Sequence, residues 1–426
     1  MKDFLITIVD FGSNKISASL GKETEDDIDI IGTATCKSKG IEKGFVVDEM
    51  KCMDSFIEVI EKLEEKTKEN ITEVYAGISS RGLRITETSI NIRLNEGKVR
   101  GKDINSARVG SSKRINLLDG EEIVDTIVNY YEIDGKIVSE DVIGWRGENL
   151  TLNLTVIVGP SNELTKYKNI INETGYKFKG FIVNIVTGRN IFLQGKSSMG
   201  VKVLVDIGSG TTDIAIFRNG VLKYIKCILV GGYNVTKDLS ICGDLKMLEA
   251  ENIKTINSAN YQSLYNDKTS DDLIQIGTSK ISKTLFYEVT NARLEEILKY
   301  VNLEVKNTSF CEGLCSIIIY GDGIIYYENI QDLVKEHIEN KSVVATCEYL
   351  GMKNTANITS LAGIEEIFER VQLLYSNKIE FEEHKFEETD FDDERKRKKK
   401  SSSKDKNNGI IKKIKNFING YFIKEE

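Results

Sequence analysis

The chain has 426 residues and a formal net charge of −8, so we expect two or more domains and no general affinity for nucleic acid. Its only histidines are His337 and His384, and its seven cysteines are scattered, which argues against a His-based triad or a multi-histidine metal site. We expect neither a signal peptide nor a membrane-spanning helix, because no basic leader precedes an apolar run and no such run approaches ~20 residues.

The first predicted element is an apolar strand that ends in an acid and a polar turn, since residues 5–22 read LITIVDFGSNKISASLGK. The arrangement returns near the middle of the chain, where residues 203–220 read VLVDIGSGTTDIAIFRNG. Each copy begins with a β-branched run typical of a buried strand, and the second continues through an Asn-Gly turn into a further strand. An ordinary hairpin with a polar tip explains one such turn, whereas two copies with the same spacing indicate a duplicated domain.

Both turns carry groups that bind phosphate. Glycines let the backbone approach a ligand, hydroxyl and backbone N–H groups cradle anions, and Lys15 offers a positive charge. Asp10 and Asp206 would repel phosphate unless a cation intervened, and Mg²⁺ takes carboxylates, waters and phosphate oxygens together. The turns therefore predict a metal nucleotide clamped between two halves, with Mg²⁺ held by these two acids through water. The predicted binding residues are Asp10, Gly12, Ser13, Asn14 and Lys15 in the first copy and Asp206, Gly208, Ser209, Gly210, Thr211, Thr212 and Asp213 in the second.

The pair of turns resembles the phosphate-1 and phosphate-2 loops of the actin, Hsp70 and sugar-kinase superfamily. The resemblance implies an α/β, actin-like fold of duplicated ribonuclease-H-type domains, with ATP and Mg²⁺ as cofactors. It extends to residues 231–240, GGYNVTKDLS, where Gly231 and Gly232 open a helix at the nucleotide site, and to residues 248–256, LEAENIKTI. By that likeness Glu251 and Lys254, which share a helix face, contact the nucleoside. Taken alone, the pair is a common surface ion pair.

The adenosine loop is expected at residues 316–330, SIIIYGDGIIYYENI, where Gly321 and Gly323 flank an acid. Family members usually carry a Gly-Gly-rich turn after this apolar strand, so Asp322 is a departure at the nucleotide site. No residue stands out as the base that would activate water. The sequence therefore supports nucleotide binding more strongly than turnover, and at most a weak ATPase.

The stretch between the two phosphate loops distinguishes members of the superfamily. Residues 44–67 predict a turn into an amphipathic helix, residues 74–94 predict strands, and residues 121–160 form a further strand-rich run. This order resembles the FtsA family of bacterial cell-division proteins over nearly the whole chain. It includes a pattern, VIGWRGENLTLNLTVIVGP, that matches the family's extra subdomain 1C, which actin, MreB and Hsp70 do not have.

The resemblance implies a subdomain for each part of the chain. The boundaries are 1–80, 161–200 and 359–375 for subdomain 1A, 81–160 for 1C, 201–235 and 311–358 for 2A, 236–310 for 2B, 376–408 for a disordered linker and 409–426 for an amphipathic helix.

Residues 285–305, within 2B, have the apolar periodicity of a helix. In the family, 2B docks the C-terminal peptide of the tubulin-like division protein FtsZ. Arg293 matches a basic position on this helix and would pair with that acidic peptide. A solvated helix arginine is the alternative.

The C-terminal tail combines a linker with an amphipathic segment. Residues 376–408 are acidic, then carry six consecutive bases from Arg395 to Lys400, then Ser and Asn, a composition that cannot bury a core. Residues 409–426 read GIIKKIKNFINGYFIKEE. A helix from Ile410 to Ile423 would be about 21 Å long, too short for a ~30 Å hydrocarbon core. Its apolar stripe consists of Ile410, Ile411, Ile414, Phe417, Ile418, Tyr421 and Phe422.

Such a basic amphipathic helix is typical of one that lies in the lipid interface, and the basic run favours anionic membrane lipid. Nucleic acid is not expected, because no interleaved aromatics could stack bases. The alternative is a helix that packs on the protein's own core.

These features predict an ATP-binding, actin-like protein that forms filaments with itself and is a peripheral protein on the cytoplasmic side of the cell membrane. The resemblance implies that it tethers FtsZ filaments at the division septum and helps recruit other division proteins. One alternative is a pilus- or secretion-type relative that binds another membrane partner's peptide, although such relatives usually lack the amphipathic end. Another is a superfamily kinase or phosphatase, which would need a conspicuous catalytic acid.

Overall fold

The structure is a computed structural model that describes residues 4–24, 28–138, 142–193, 198–267, 272–345 and 358–383, with side chains described up to residue 372. The predicted amphipathic helix at 409–426, and with it the membrane-facing stripe, lies outside the described residues. Within the described part of the chain, no helix is both long enough and apolar enough to cross a bilayer.

The chain forms two structural halves one after the other, except that its last described helix packs on the first half. The first half contains β1 (Leu5–Phe11), β2 (Lys15–Glu23), β3 (Ile28–Lys37), β4 (Ile41–Glu42), β5 (Phe45–Val46), α1 (Glu49–Thr67), β6 (Glu73–Ile78), β7 (Arg84–Arg93), α2 (Gly101–Gly110), β8 (Glu121–Ile133), β9 (Lys136–Val138), β10 (Asn149–Pro160), α3 (Ser161–Glu173), β11 (Lys177–Val183), α4 (Asn184–Thr187) and α5 (Arg189–Phe192). The rest contains β12 (Val201–Ile207), β13 (Thr212–Arg218), β14 (Val221–Ile228), α6 (Gly232–Cys242), α7 (Met247–Asn257), α8 (Tyr261–Asn266), β15 (Leu273–Ile276), β16 (Ser279–Ser282), α9 (Lys283–Lys306), β17 (Leu314–Tyr320), α10 (Ile330–His337), β18 (Ser342–Val344) and α11 (Ile358–Glu383).

Two five-stranded sheets have the same topology, which confirms the predicted duplication. Their strand orders are β3-β2-β1-β6-β11 and β14-β13-β12-β17-β18. In each sheet the first three strands in sequence are antiparallel, and the last two run parallel to the first. Asp10 and Asp206 therefore occupy corresponding positions near the carboxyl ends of the two central strands.

Both faces of the second sheet are covered, which explains why its strands look continuously apolar in sequence. On β12, Leu204 packs into the core that the sheet shares with the first half. Val203 and Val205 point the other way, into the core of the second half. The Asn219-Gly220 turn joins β13 to β14 with φ of 51° and 78°, the left-handed conformation that this dipeptide adopts in a tight hairpin.

A separate four-stranded sheet, in the order β7-β10-β8-β9, is inserted between β6 and α3. Its strand β10 alternates buried Leu150, Leu152 and Leu154 with more exposed polar residues, as a sheet with one covered face does. Helix α2 covers that face through Ile104. The insertion occupies the residues for which the sequence predicts subdomain 1C.

The second half carries its own insertion, α6 to α9, between β14 and β17. The helix predicted at 285–305 is confirmed as α9, which buries Leu294, Ile297, Leu298 and Val301 on one face. Ser282 caps its N-terminus by accepting a hydrogen bond from the backbone of Leu285 at 3.1 Å.

The last helix, α11, returns to the first half. Ile364, Ile367 and Phe368 pack against Ile6 and Ile8 of β1. The helix ends at Glu383, so residues 376–383 of the predicted linker are helical in the structure. These residues include no Gly or Pro, and Glu, Lys and Phe are compatible with a helix, so charge alone does not end it. The remainder of the predicted linker, 384–408, lies outside the described residues.

Candidate nucleotide-binding cleft

A cavity of about 500 Å³ lies between the two halves, where the turns after β1, β12 and β17 converge. This volume is typical of a small-molecule site, for which the usual range is about 300–1,000 Å³. The predicted residues that line it are Asp10, Gly12, Ser13, Asn14, Lys15, Asp206, Gly208, Ser209, Gly210, Thr211, Asp213, Gly232, Glu251, Lys254, Gly321 and Gly323.

Two further predicted residues, Thr212 and Gly231, are not part of its wall. Thr212 is fully buried and donates its hydroxyl hydrogen bond to the carbonyl of Val230 at 2.8 Å. Gly231 lies beneath the phosphate-2 turn, where a Cβ atom would be only 2.5 Å from the carbonyl oxygen of Gly208. Both residues support the turn from behind.

The Asp10 carboxylate is fixed by two donors. The amide of Asn184, at the start of α4, donates to it at 2.6 Å, and the hydroxyl of Thr359, at the start of α11, donates at 3.0 Å. Burial raises the pKa of Asp10, while Lys15 and these two donors act in the opposite direction. The side chain is therefore an oriented acid at the floor of the cleft.

The second half contributes two more acids. Asp206 and Asp213 are directly opposite each other on β12 and β13. Burial raises the pKa of Asp206 well above its ordinary value, and the carboxylates of Asp213 and Asp10 raise it further. Asp213 is better supported, because it accepts hydrogen bonds from the backbone N–H of Ser80 at 2.8 Å, from the Ser80 hydroxyl and from the Thr211 hydroxyl at 3.2 Å.

This environment fits a nucleotide with a divalent cation. Asp10 and Asp206 line one cavity, and a cation between them would offset the charge repulsion and desolvation that raise their pKa values. Tyr320 also lines this cavity, and its buried hydroxyl has no hydrogen-bond partner among the described residues. Across the part of the chain that the structure describes, no group of three or more His, Cys, Asp or Glu side chains could hold a metal by itself. Mg²⁺, which keeps several waters and takes one or two carboxylates beside phosphate, suits such a site.

The three turns touch each other at glycines. A Cβ atom at Gly210 would lie 2.6 Å from the hydroxyl of Ser13, so the two phosphate turns meet without room for a side chain. Gly321 has a φ of 102°, and a Cβ atom there would lie 2.3 Å from the carboxylate of Asp206. The turn after β17 therefore requires glycine at position 321.

Glu251 and Lys254 meet on the cavity wall, as their spacing on α7 predicts. The ammonium of Lys254 is 2.8 Å from the carboxylate of Glu251 and 2.7 Å from the hydroxyl of Thr236 on α6. It also donates to the carbonyl of Gly232 at 3.2 Å. These contacts join α7 to the first turn of α6.

Arg293 lies on α9 and is not among the residues that line the cavity. Its guanidinium is paired with Asp238 of α6, at 2.5 Å, and with Glu296 one turn away on α9. An acidic peptide that bound Arg293 would have to share it with these two carboxylates.

Sequence reasoning missed Asn184, Thr359 and Ser80, which orient the acids of the cleft. The sequence did carry a signal for Asn184, because it is a polar residue directly after an apolar strand. Asp10 and Asp206 lie in a similar place, one residue before the ends of their strands. Thr359 and Ser80 had none, since each reaches its acid only through the tertiary fold.

Comparisons with known proteins agree with this architecture. The family model "Cell division protein FtsA" matches residues 203–401. FtsA of Neisseria meningitidis is 26% identical over 72% of this chain and 74% of its own length. FtsA of Buchnera aphidicola is 26% identical over 90% of this chain and 94% of its own length.

Among solved structures, MreB 5 of Spiroplasma citri bound to AMPPNP superposes with a TM-score of 0.51 at 12% identity, covering 88% of this chain and 98% of that one. At this identity the likeness concerns the fold alone, and it confirms the actin-like architecture. The sequence matches extend this likeness to the FtsA cell division proteins, which the chain resembles over most of its length.

Proposed function

We propose that the protein binds ATP with Mg²⁺ in the cleft, polymerises on the inner face of the cytoplasmic membrane and tethers FtsZ filaments to it at the division septum. The observation that carries the proposal is the convergence of two equivalent phosphate turns, with Asp10 and Asp206, on one cavity between duplicated halves. A ligand clamped there touches both halves and so sets the angle between them.

Each wall of the cleft has a role in this proposal. The turns at 12–15 and 208–213 would hold the phosphates through backbone N–H groups, hydroxyls and Lys15. Glu251 and Lys254 would contact the ribose. Asp10 and Asp206 would hold Mg²⁺ through water, and the ion would neutralise phosphate charge next to these acids. Asn184 and Thr359 keep the Asp10 carboxylate oriented for that task.

The tail supports the membrane part of the proposal. Residues 409–426 have one apolar stripe flanked by lysines, and a charged segment with six consecutive bases precedes them. A single short amphipathic helix binds lipid weakly, but many tails on one filament bind by avidity. Membrane attachment and polymerisation therefore reinforce each other.

The partner part of the proposal comes from the family. Relatives that bear the name FtsA match most of the chain. The helices of the second insertion, including α9 with Arg293, offer the surface on which the FtsZ peptide would dock. Other division proteins would bind elsewhere on the filament.

Flotation of anionic liposomes tests these parts together. The full-length protein and a chain that ends at Asn408 are each mixed with Mg-ATP and the FtsZ of the same organism. We expect FtsZ to float only with the full-length protein. If the protein floats but FtsZ stays behind, the FtsZ tether is refuted, and the pilus-type function with another peptide partner replaces it.

A further inference from the structure

An ion pair crosses the mouth of the cleft. Lys15, in the first phosphate turn, contacts the carboxylate of Asp322, in the turn after β17. Both side chains line the cavity, and they are 30% and 35% exposed, so they lie at its rim. The pair joins two turns that belong to different halves of the protein.

Asp322 is held in place from behind. The hydroxyl of Tyr326 donates to its second carboxylate oxygen at 3.2 Å. The turn itself has no room to retreat, because a Cβ atom at Gly323 would lie 2.3 Å from the carbonyl oxygen of Gly208. The carboxylate is thus presented to Lys15 by a rigid piece of backbone.

This placement has a consequence for an anionic ligand. Lys15 is the positively charged side chain among the predicted phosphate-binding residues, and its ammonium is engaged by a carboxylate. Asp322 also adds negative charge to a cleft that already contains Asp10, Asp206 and Asp213. A phosphate group that enters must take Lys15 away from Asp322.

We propose that Asp322 is an internal competitor for nucleotide phosphate, a latch that occupies Lys15 until a nucleoside polyphosphate with its divalent cation displaces it. The inference rests on the proposed nucleotide-binding function and assigns a role to the acid that departs from the family's usual turn. The latch lowers affinity for the nucleotide and links binding to release of a contact between the two halves.

The test is equilibrium titration of the full-length protein with a fluorescent ATP analogue and Mg²⁺. Asp322→Asn removes the charge and keeps the shape of the side chain, and Asp322→Ser serves as a second variant. Because an exposed ion pair is worth up to about 1 kcal/mol, the affinity should rise up to about fivefold. Glu336→Gln, which removes an exposed acid of α10 outside the cavity, should leave the affinity unchanged and controls for net charge.

The latch predicts that this gain depends on Lys15. In the background of Lys15→Ala, Asp322→Asn should change the affinity by less than about twofold, since there is no ammonium to release. An equal gain in both backgrounds would overturn the latch and show that Asp322 acts by direct repulsion of phosphate. The absence of any gain, while Asp206→Ala still weakens binding, would also overturn it.

Failure of the underlying function has a different signature. In that case neither the wild-type protein nor Asp322→Asn binds the analogue, and Asp206→Ala changes nothing. That result would refute both nucleotide binding and the latch. If only Asp322→Asn binds measurably and Lys15→Ala abolishes its binding, the latch is supported in its strongest form.

Discussion

A largely buried arginine joins the last helix to the inserted sheet, and its removal tests how much this contact stabilises the fold. The guanidinium of Arg370, on α11, donates to both carboxylate oxygens of Asp125, on β8, at 2.9 and 2.7 Å. It also donates to Glu366, one turn earlier on α11, at 2.8 Å. The three side chains are only 15%, 10% and 8% exposed, so water replaces these contacts poorly.

The expected loss of stability depends on which charged groups lose their partner in Arg370→Met. Burial disfavours the charged guanidinium, but the carboxylates of Asp125 and Glu366 outweigh it and raise the pKa of Arg370 above its ordinary value. Removing one partner of a buried ion pair costs about 3–5 kcal/mol. Glu366 keeps Arg189 at 3.0 Å and Asn190 at 2.8 Å, so the loss falls mainly on Asp125. We therefore expect Arg370→Met to lower the unfolding free energy by about 3 kcal/mol, the lower end of this range.

Urea unfolding of the full-length protein measures this cost against a matched control. Lys177→Met removes a lysine whose ion pair with Glu73 is exposed on both sides, at 67% and 40%, and should cost less than about 1 kcal/mol. Adding Asp125→Asn to Arg370→Met should recover part of the loss, because the unpaired charge is gone. If the unfolding free energy of Arg370→Met lies within ~0.5 kcal/mol of that of Lys177→Met, the scatter of ordinary surface substitutions, then this ion pair does not stabilise the fold as expected.

Three other predictions concern the cleft, the tail and acid stability. Asp206→Ala should weaken binding of Mg-ATP about 10- to 100-fold in equilibrium titration, as loss of a group that acts on a metal through water does, and unchanged affinity would remove the cleft assignment. Ile414→Asp with Phe417→Asp should release the protein from sedimented anionic liposomes, because charges on the apolar stripe prevent insertion; undiminished binding would count against the tail as the anchor. Burial opposes ionisation of Glu366, but its paired arginines prevail and hold its pKa below the ordinary 4.5. The ionised Glu366 should therefore stabilise the fold above that pH, and this stabilisation should be lost as the pH falls below it. Glu366→Gln should lower the unfolding free energy near neutral pH and make it depend less on acid pH. An unaltered pH profile of the unfolding free energy would contradict this.

The sequence predicted the elements that local patterns encode. The two phosphate turns were visible because β1 and β12 are covered on both faces and read as apolar runs that end at an acid. Helix α9 was visible from its repeating apolar positions, and the hairpin after β13 from Asn219-Gly220. Each of these signals lies within one element and its flanking turn.

The contacts that complete the cleft were not accessible in this way. Thr359 reaches Asp10 across 349 positions of sequence, and Asp322 reaches Lys15 across 307. Such pairings depend on how the two halves and the last helix assemble, and no local pattern records them. The end of α11 was missed for a different reason, since charged residues without Gly or Pro continue a helix as readily as they form a linker.

Helix α11 places two distant parts of the molecule on one rigid element. Its first turn carries Thr359, which binds Asp10 in the cleft, and Arg370 binds Asp125 in the inserted sheet. The two residues are eleven positions apart, which corresponds to about 16 Å along a helix. The apolar face of the helix packs on β1, so the two contacts have a fixed spacing. The cleft and the insertion therefore share a structural support, from which the chain continues toward the tail.

The carboxylates of the cleft break the usual rules of burial, and this is why they reveal its chemistry. A strand covered on both faces normally carries only apolar side chains, yet β1 and β12 carry Asp10 and Asp206 near their ends. Burial, with repulsion from neighbouring carboxylates, raises the pKa values of both acids and makes their charged forms unfavourable in the protein alone. A cation bound with an anionic ligand would offset both effects. Local conflict of this kind, repeated at equivalent positions of a duplicated fold, is expected where binding rather than stability determines the residue.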